Sequence, residues 1–211
     1  VSDLVIFGAW HFSRVVAEAA AASGRRVLGF VDPDPPPGIA TLEQVPQGCE
    51  VFVAIGDNVL RRQLSRELLA RGRRLATLVH PAAVVSPSAA LAPGCFVAEL
   101  VAVRSNAVLQ EGVVLQAGSV VSHDVHVGAF ASFGPNAACA SKSRIGALSA
   151  IGVGASLLPG IVVGEGCTVA AGAAVFRDAA DGVTLVGNPA RATRPTGDAG
   201  QQSRWTANAV W

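Results

Sequence analysis

The sequence predicts an α/β N-terminal parallel sheet of Rossmann type followed by an all-β, left-handed parallel β-helix. Two patterns predict it. Every sixth residue from Val79 to Val175 is apolar, without a break. Ahead of that array, short apolar runs alternate with two helical patterns, the order of a small parallel sheet with helical crossovers. Composition agrees: 51% of residues are hydrophobic but only 5% aromatic, beside 23 Gly, so the core is built from small and β-branched groups.

The elements follow in order. VIFGA (5–9) is a short apolar run ending in Gly, suited to a buried parallel strand. SRVVAEAAAAS (13–23) is an Ala-rich helix, with Ser13 a candidate N-cap and Gly24 the stop. RVLGFVD (26–32) is a second strand, followed by the turn-rich PDPPPG. CEVFVAIGD (49–57) is a third strand. LRRQLSRELLARG (60–72) is an amphipathic helix with Leu60, Leu64 and Leu68 at four-residue spacing, and RLATLVH (74–80) is a fourth strand.

From Val79 the period is six, which fits neither an α-helix nor a plain alternating strand. Seventeen positions, Val79 through Val175, are all apolar; chance would give this with odds of about 10⁻⁵. Four residues after each lie small or β-branched side chains such as Cys95, Ala107, Ser119, Ala137 and Ala173, and Gly often follows directly, as at Gly128, Gly134 and Gly146. Each hexad reads as a short strand and a turn, three hexads close a triangular coil, and the coils stack. The units expected are 1–78 (Rossmann-like, acceptor-binding), 79–178 (β-helix) and 179–211 (a C-terminal segment and tail). Trp205 and Trp211, in the polar stretch 196–211, either dock on a neighbour or lie in a disordered tail.

Charge and composition exclude several functions. The net charge is +1, from 16 basic and 15 acidic residues with no basic stripe, so a nucleic-acid partner is not expected. No apolar run free of Gly and Pro reaches about 18 residues, so a membrane span is not expected, and the default location is the cytoplasm. Cys49, Cys95, Cys139 and Cys167 form no CxxC pair and read as small core residues. No metal site is expected. A γ-class carbonic anhydrase would need three zinc-binding histidines, and His80, His123 and His126 have unsuitable spacing.

The array resembles the hexapeptide-repeat acyltransferases. With the front sheet, it is similar to the sialic acid O-acetyltransferase and bacillosamine-type nucleotide-sugar N-acetyltransferase family. The pieces that carry the resemblance are IFGA at 6–9, VD at 31–32, IGDN at 55–58, HPAAVVSPSA at 80–89, SHDVHVG at 122–128, LLPG at 157–160 and VGNPAR at 186–191, in the family's order over residues 4–194. The resemblance implies a homotrimer that transfers an acetyl or other short acyl group from acyl-CoA to an amino or hydroxy group of a sugar, nucleotide-linked, held by the front unit. It implies His123 as catalytic base with Asp124 beside it. It implies a CoA groove lined by Ser132, Ser141, Val153, Ala171, Gly187 and Pro189. Acceptor contacts fall on Gly8, Ala9, Trp10, His11, Asp32, Asp57 and Asn58.

The residue types suit that chemistry. A thioester needs little help with its leaving group; it needs a nucleophile stripped of its proton. A histidine near its ordinary pKa of about 6.5 does this. A carboxylate can fix its tautomer. His123 is the third residue of its hexad, so it should project outward near a turn. Asp124 reaches the ring only if the turn bends it round, because neighbours on an extended chain point to opposite sides. The family's second histidine is replaced here by Ser132, which can donate a hydrogen bond but carries no charge; His126 is a nearby substitute. The first turn, GAWHFSRVV, lacks GxGxxG and is too bulky for a bare pyrophosphate cradle, so NAD is not expected, and Trp10 or Phe12 is placed to stack on a base, a sugar or another flat acceptor. Two alternatives stand beside this reading: the same chemistry on a non-nucleotide acceptor such as an antibiotic precursor, and a catalytically silent binding protein.

Overall fold

The computed structural model describes residues 3–8, 11–32, 41–46 and 48–193. Ala9 and Trp10, and the stretch 196–211 with Trp205 and Trp211, lie outside them. The front unit is a four-stranded parallel sheet of β1 (Leu4–Phe7), β2 (Val27–Val31), β3 (Glu50–Val53) and β4 (Arg74–Leu75), in the order β2-β1-β3-β4. All four residues of β1 are buried, as its unbroken LVIF run requires of a central strand covered on both faces. Helices α1 (His11–Ala22) and α2 (Asn58–Ala70) make the crossovers.

Three local readings change. Helix α1 begins at His11, so Ser13 is inside its first turn, buried, and donates from Oγ to the Gly8 carbonyl at 2.8 Å rather than capping the helix. Helix α2 begins at Asn58. Asp57 is its N-cap, with Oδ1 accepting from the Leu60 amide at 2.8 Å. The face it buries is Arg61, Ser65 and Leu68, while Leu60 is 43% exposed. The expected strand 74–80 divides: the Ala76 amide still bonds to Val51 in the front sheet, but the Leu78 amide bonds to Cys95 in the β-helix. Ala76 and Thr77 are the corner between the two sheets.

The β-helix has three walls. The first stacks Leu78–Val79, Phe96–Val97, Val114–Leu115, Ser132–Phe133, Ala150–Ile151, Thr168–Val169 and Thr184–Val186. The second stacks six two-residue strands from Val84–Val85 to Ala174–Val175, and the third stacks five from Ala90–Leu91 to Val162–Val163. All these pairings are parallel, and through Val175 each strand meets the one 18 residues on, as in Leu78↔Phe96 and Val108↔His126. The repeated apolar residues fill the interior: from Val97 to Val175 every one is at most 3% exposed.

The corners explain the glycines in two ways. From Gly94 to Gly172 the residue three after each apolar position is left-handed, with φ near +60° at Leu100, Asn106, Asp124, Phe130, Asn136, Lys142 and Leu148 and Gly at the other places. The glycines directly after the apolar position, such as Gly128 and Gly146, have no positive φ; a Cβ on Gly128 would lie 2.5 Å from the Ala147 amide nitrogen of the next coil.

The coil ends in a hairpin. Thr184–Val186 pairs antiparallel with Arg191–Thr193. The Ala174 amide and carbonyl on the last strand of the second wall bond to the Gly187 carbonyl and the Ala190 amide, at 3.0 and 2.7 Å.

The front unit docks on the first wall and on the corner between the third and first walls. Phe12 stands edge-on to Phe96, ring centroids 5.6 Å apart. Its ring is therefore part of the junction, not free to stack on a ligand. Beside it, the guanidinium of Arg61, 2% exposed, donates to the carbonyls of Ile55 (3.0 Å), Gly56 (3.3 Å), Gly112 (3.2 Å) and Phe130 (2.9 Å) and to Asn58 Oδ1 (2.8 Å). Burial lowers its pKa to about 10, with Asp57 opposing, so it is a buried cation at neutral pH held by carbonyls.

Candidate active site

The corner between the second and third walls carries the histidine of interest. His123 and Asp124 form the turn between Val120–Val121 and His126–Val127. Asp124 takes φ +59°, and this left-handed turn swings its carboxylate back onto its neighbour: His123 Nδ1 and Asp124 Oδ2 are 2.8 Å apart. An extended chain would have parted them. The other carboxylate oxygen, Oδ1, accepts from Asn106 Nδ2 at 3.1 Å. Asn106 lies 18 residues earlier, at the same corner of the preceding coil. Lys142, 18 residues later, donates its amide to the His123 carbonyl at 3.0 Å. The Asp124 carboxyl is held below its ordinary value by the His123 hydrogen bond first, then by Asn106, with the Lys142 charge contributing. Both side chains are open to solvent. With a carboxylate accepting at Nδ1, the favoured tautomer carries its proton there and leaves the Nε2 lone pair free.

The other candidates are dispersed. Ser141 is half-buried directly after His123 in the stack, one coil on. Val153 and Ala171 are exposed on a different corner, between the first and second walls. Ser132 is half-buried on the first wall, and Gly187 and Pro189 are exposed in the terminal hairpin. His126 is exposed on the third wall, where it lines a trough of about 340 Å³ with Gln110, Arg144, Val162, Glu165 and Asp181.

In the front unit, the crevice where strand order reverses lies between β1 and β3, where open parallel sheets bind ligands. Gly8 follows β1 there with φ +114°, and a Cβ on it would meet the Ala54 carbonyl at 3.1 Å. His11 is exposed at the start of α1. Asp32 lines a separate cavity of about 190 Å³ with Phe7, Thr41, Glu43, Glu67 and Arg71. Asp57 is occupied as a helix cap. Asn58 donates to the Leu148 carbonyl at 3.1 Å and accepts from Arg61, so it ties the two units together. Within one chain the histidine corner, the Val153 corner and the β1–β3 crevice are therefore three separate places.

Asn106 and Arg61 are the residues that sequence reasoning missed. Asn106 could have been found by counting 18 residues back from Asp124. Arg61 carried no signal, since a charged residue reads as a solvated face. Among the described residues, no three His, Cys, Asp or Glu side chains are grouped to hold a metal ion, and no helix is long and apolar enough to cross a membrane. All four cysteines are buried, and burial pushes the Cys95 and Cys139 thiols up to about 11 and about 12, which removes them as nucleophiles.

Comparison with known proteins bears on this geometry. The PglD N-terminal domain matches residues 3–68. A search of curated proteins finds no match. Among solved structures, PerB from Caulobacter crescentus, in complex with CoA and GDP-perosamine, is 36% identical, with 92% of this chain and 98% of that chain covered and a TM-score of 0.87. The acetyltransferase domain of PglB from Neisseria gonorrhoeae FA1090, in complex with acetyl coenzyme A, is 35% identical, with 90% and 98% covered and a TM-score of 0.83. WeeI from Acinetobacter baumannii AYE, at 23% identity and a TM-score of 0.82, shares the fold.

Proposed function

The chain belongs to the left-handed β-helix sugar acetyltransferases with a PglD-type front domain, and from that premise we propose that it moves an acetyl group from acetyl-CoA to the amino group of a nucleotide-linked amino sugar, with His123 as general base. It is an acyltransferase with acyl-CoA as co-substrate.

The observation that carries the assignment of the base is the 2.8 Å contact of His123 with Asp124 on an exposed corner. The sugar amine attacks the thioester carbonyl carbon and a C–N bond forms. The amine proton goes to His123 Nε2, the C–S bond breaks, and the CoA thiolate leaves with the electron pair and takes that proton from the imidazolium, which restores the base. Asp124 stabilises the imidazolium while it exists. The front-unit crevice holds the nucleotide sugar, supported by the match over residues 3–68 and by the GDP-perosamine bound to PerB.

The scattered candidates argue for a trimer. Val153 and Ala171 sit on one corner and His123 and Ser141 on another, so a CoA groove that uses all four needs two copies side by side. Ser132 then serves as a neutral hydrogen-bond donor near the acyl group.

Acetyl-CoA with GDP-perosamine and with a panel of nucleotide-linked and free amino sugars is the direct test, read as CoA release and acetylated product. Turnover should require the nucleotide, and His123→Ala should lose about 10²–10⁴-fold in kcat with an unchanged melting temperature. Full activity in that variant removes His123 as the base. Acetylation of unlinked amines alone favours a non-nucleotide acceptor, and a folded protein inert toward every donor favours a silent binder.

A further inference from the structure

We propose that Asn106 is a positioning residue for His123, acting through Asp124 from the coil below. The proposal rests on the reading of His123 as the base.

The argument begins with exposure. His123 and Asp124 are both open to water, and a solvated carboxylate has many alternatives to one imidazole. Adjacency does not hold them, because Asp124 can rotate about its own side-chain bonds. What fixes it is a partner on each oxygen: Oδ2 faces His123 Nδ1 at 2.8 Å, and Oδ1 accepts from Asn106 Nδ2 at 3.1 Å. With both oxygens engaged, turning the carboxylate breaks a hydrogen bond.

Asn106 is itself held. It takes the left-handed conformation at φ +58°, which asparagine tolerates better than most residues. Its amide donates to Ser88 Oγ at 3.1 Å, again 18 residues earlier. Parallel stacking places Val108 beside His126 and Ala102 beside Val120, so the strands on both sides of this turn keep Asn106 under Asp124. On the other side the Lys142 amide bonds to the His123 carbonyl. The charged groups on these stacked turns are Arg104, two residues before Asn106, with Asp124 and Lys142, and His126 and Arg144 stand on the strands that follow. Asn106 is the neutral donor among them, able to hold the carboxylate without competing for its charge as a cation would.

The test uses the full chain labelled with ¹³C,¹⁵N-histidine, which carries four histidines. The His123 signals are assigned by their loss in His123→Ala. Asn106→Gly removes the donor and suits a positive φ. The isosteric Asn106→Asp keeps the turn but cannot donate. In both, the Nδ1–H tautomer of His123 should give way to a mixture. In Asn106→Gly the imidazole pKa should also fall by about half a unit, as its anion drifts away. Asp124→Asn should lower it further, and adding Asn106→Gly to Asp124→Asn should change nothing more. Where turnover is measurable, Asn106→Gly should lower kcat about five- to tenfold, leave the KM for acetyl-CoA unchanged and move the acid limb to lower pH. Wild-type tautomer and titration in both Asn106 variants, or additive effects with Asp124→Asn, overturn the proposal. Retained turnover in His123→Ala instead overturns the reading of the base, and the titration still decides whether Asn106 holds the pair.

Discussion

The β-helix and its junction with the front sheet are built on opposite rules. In the β-helix each position repeats: Val121, Cys139 and Leu157 fill equivalent places on successive coils, and losing one leaves its neighbours in register. At the junction nothing repeats. One guanidinium, Arg61, serves five acceptors drawn from both units, and one glycine, Gly112, makes room for one ring, Phe130. Redundant contacts tolerate change, while single ones concentrate it.

Five substitutions sharpen or break this contrast. Arg61→Ala should have the largest effect on stability, about 3–5 kcal/mol in denaturant unfolding, because it strips a donor from the buried Gly112 and Phe130 carbonyls at once. Ile151→Val, a comparable probe of one repeated rung, should cost about 0.5–1.5 kcal/mol; equal costs would dissolve the distinction. Gly112→Ala comes next at about 2–3 kcal/mol, since its Cβ would lie 2.3 Å from the Phe130 ring. Gly166→Ala, on the same corner at φ +63° but with nothing within 4 Å, should cost only the backbone term of about 1–2 kcal/mol. Asp57→Ala should cost about 1 kcal/mol, the loss of an ordinary helix cap and no more than the single rung.

The pH dependence follows from the histidine corner of the β-helix. Asp124 is held below the usual carboxylate range, so it stays ionised as pH falls past the point where free carboxylates protonate. Any stability it contributes is present above its unfolded value and lost only as pH drops through the lower folded one. The acid limb of a pH–rate profile should therefore report the imidazole and not the carboxylate. A limb in the low carboxylate range would contradict this.

The same contrast governs what could be read from the sequence. Period six is visible because each interior place is filled by the same kind of residue, so the β-helix is legible from Val79 to Val175. His123 and Asp124 stood out as residues, but their contact did not: glycines at the same place on other coils mark a left-handed corner, yet nothing in the sequence says that an aspartate there turns its carboxylate onto its neighbour. Helix α2 misled for a different reason. Its leucines suggest a buried stripe at 60, 64 and 68, yet the face turned inward begins at Arg61, and hydrophobicity cannot announce a buried cation. Ser13 failed similarly: a serine near a helix start suits a cap, and its hydroxyl instead reaches back to Gly8. The segment 74–80 looks like one strand because both of its halves are strands, in different sheets.

The terminal hairpin has a consequence for how the protein behaves in a crowded solution. A stack of parallel strands offers its last edge to any other stack, end to end, and could lengthen without limit. Here the chain turns back so that Arg191–Thr193 occupies the final edge of the first wall, while Gly187 and Ala190 bond to Ala174 at the end of the second. By supplying its own last partner in reversed direction, the polypeptide blocks fibre-like growth at this end and leaves sideways association as the open route to assembly.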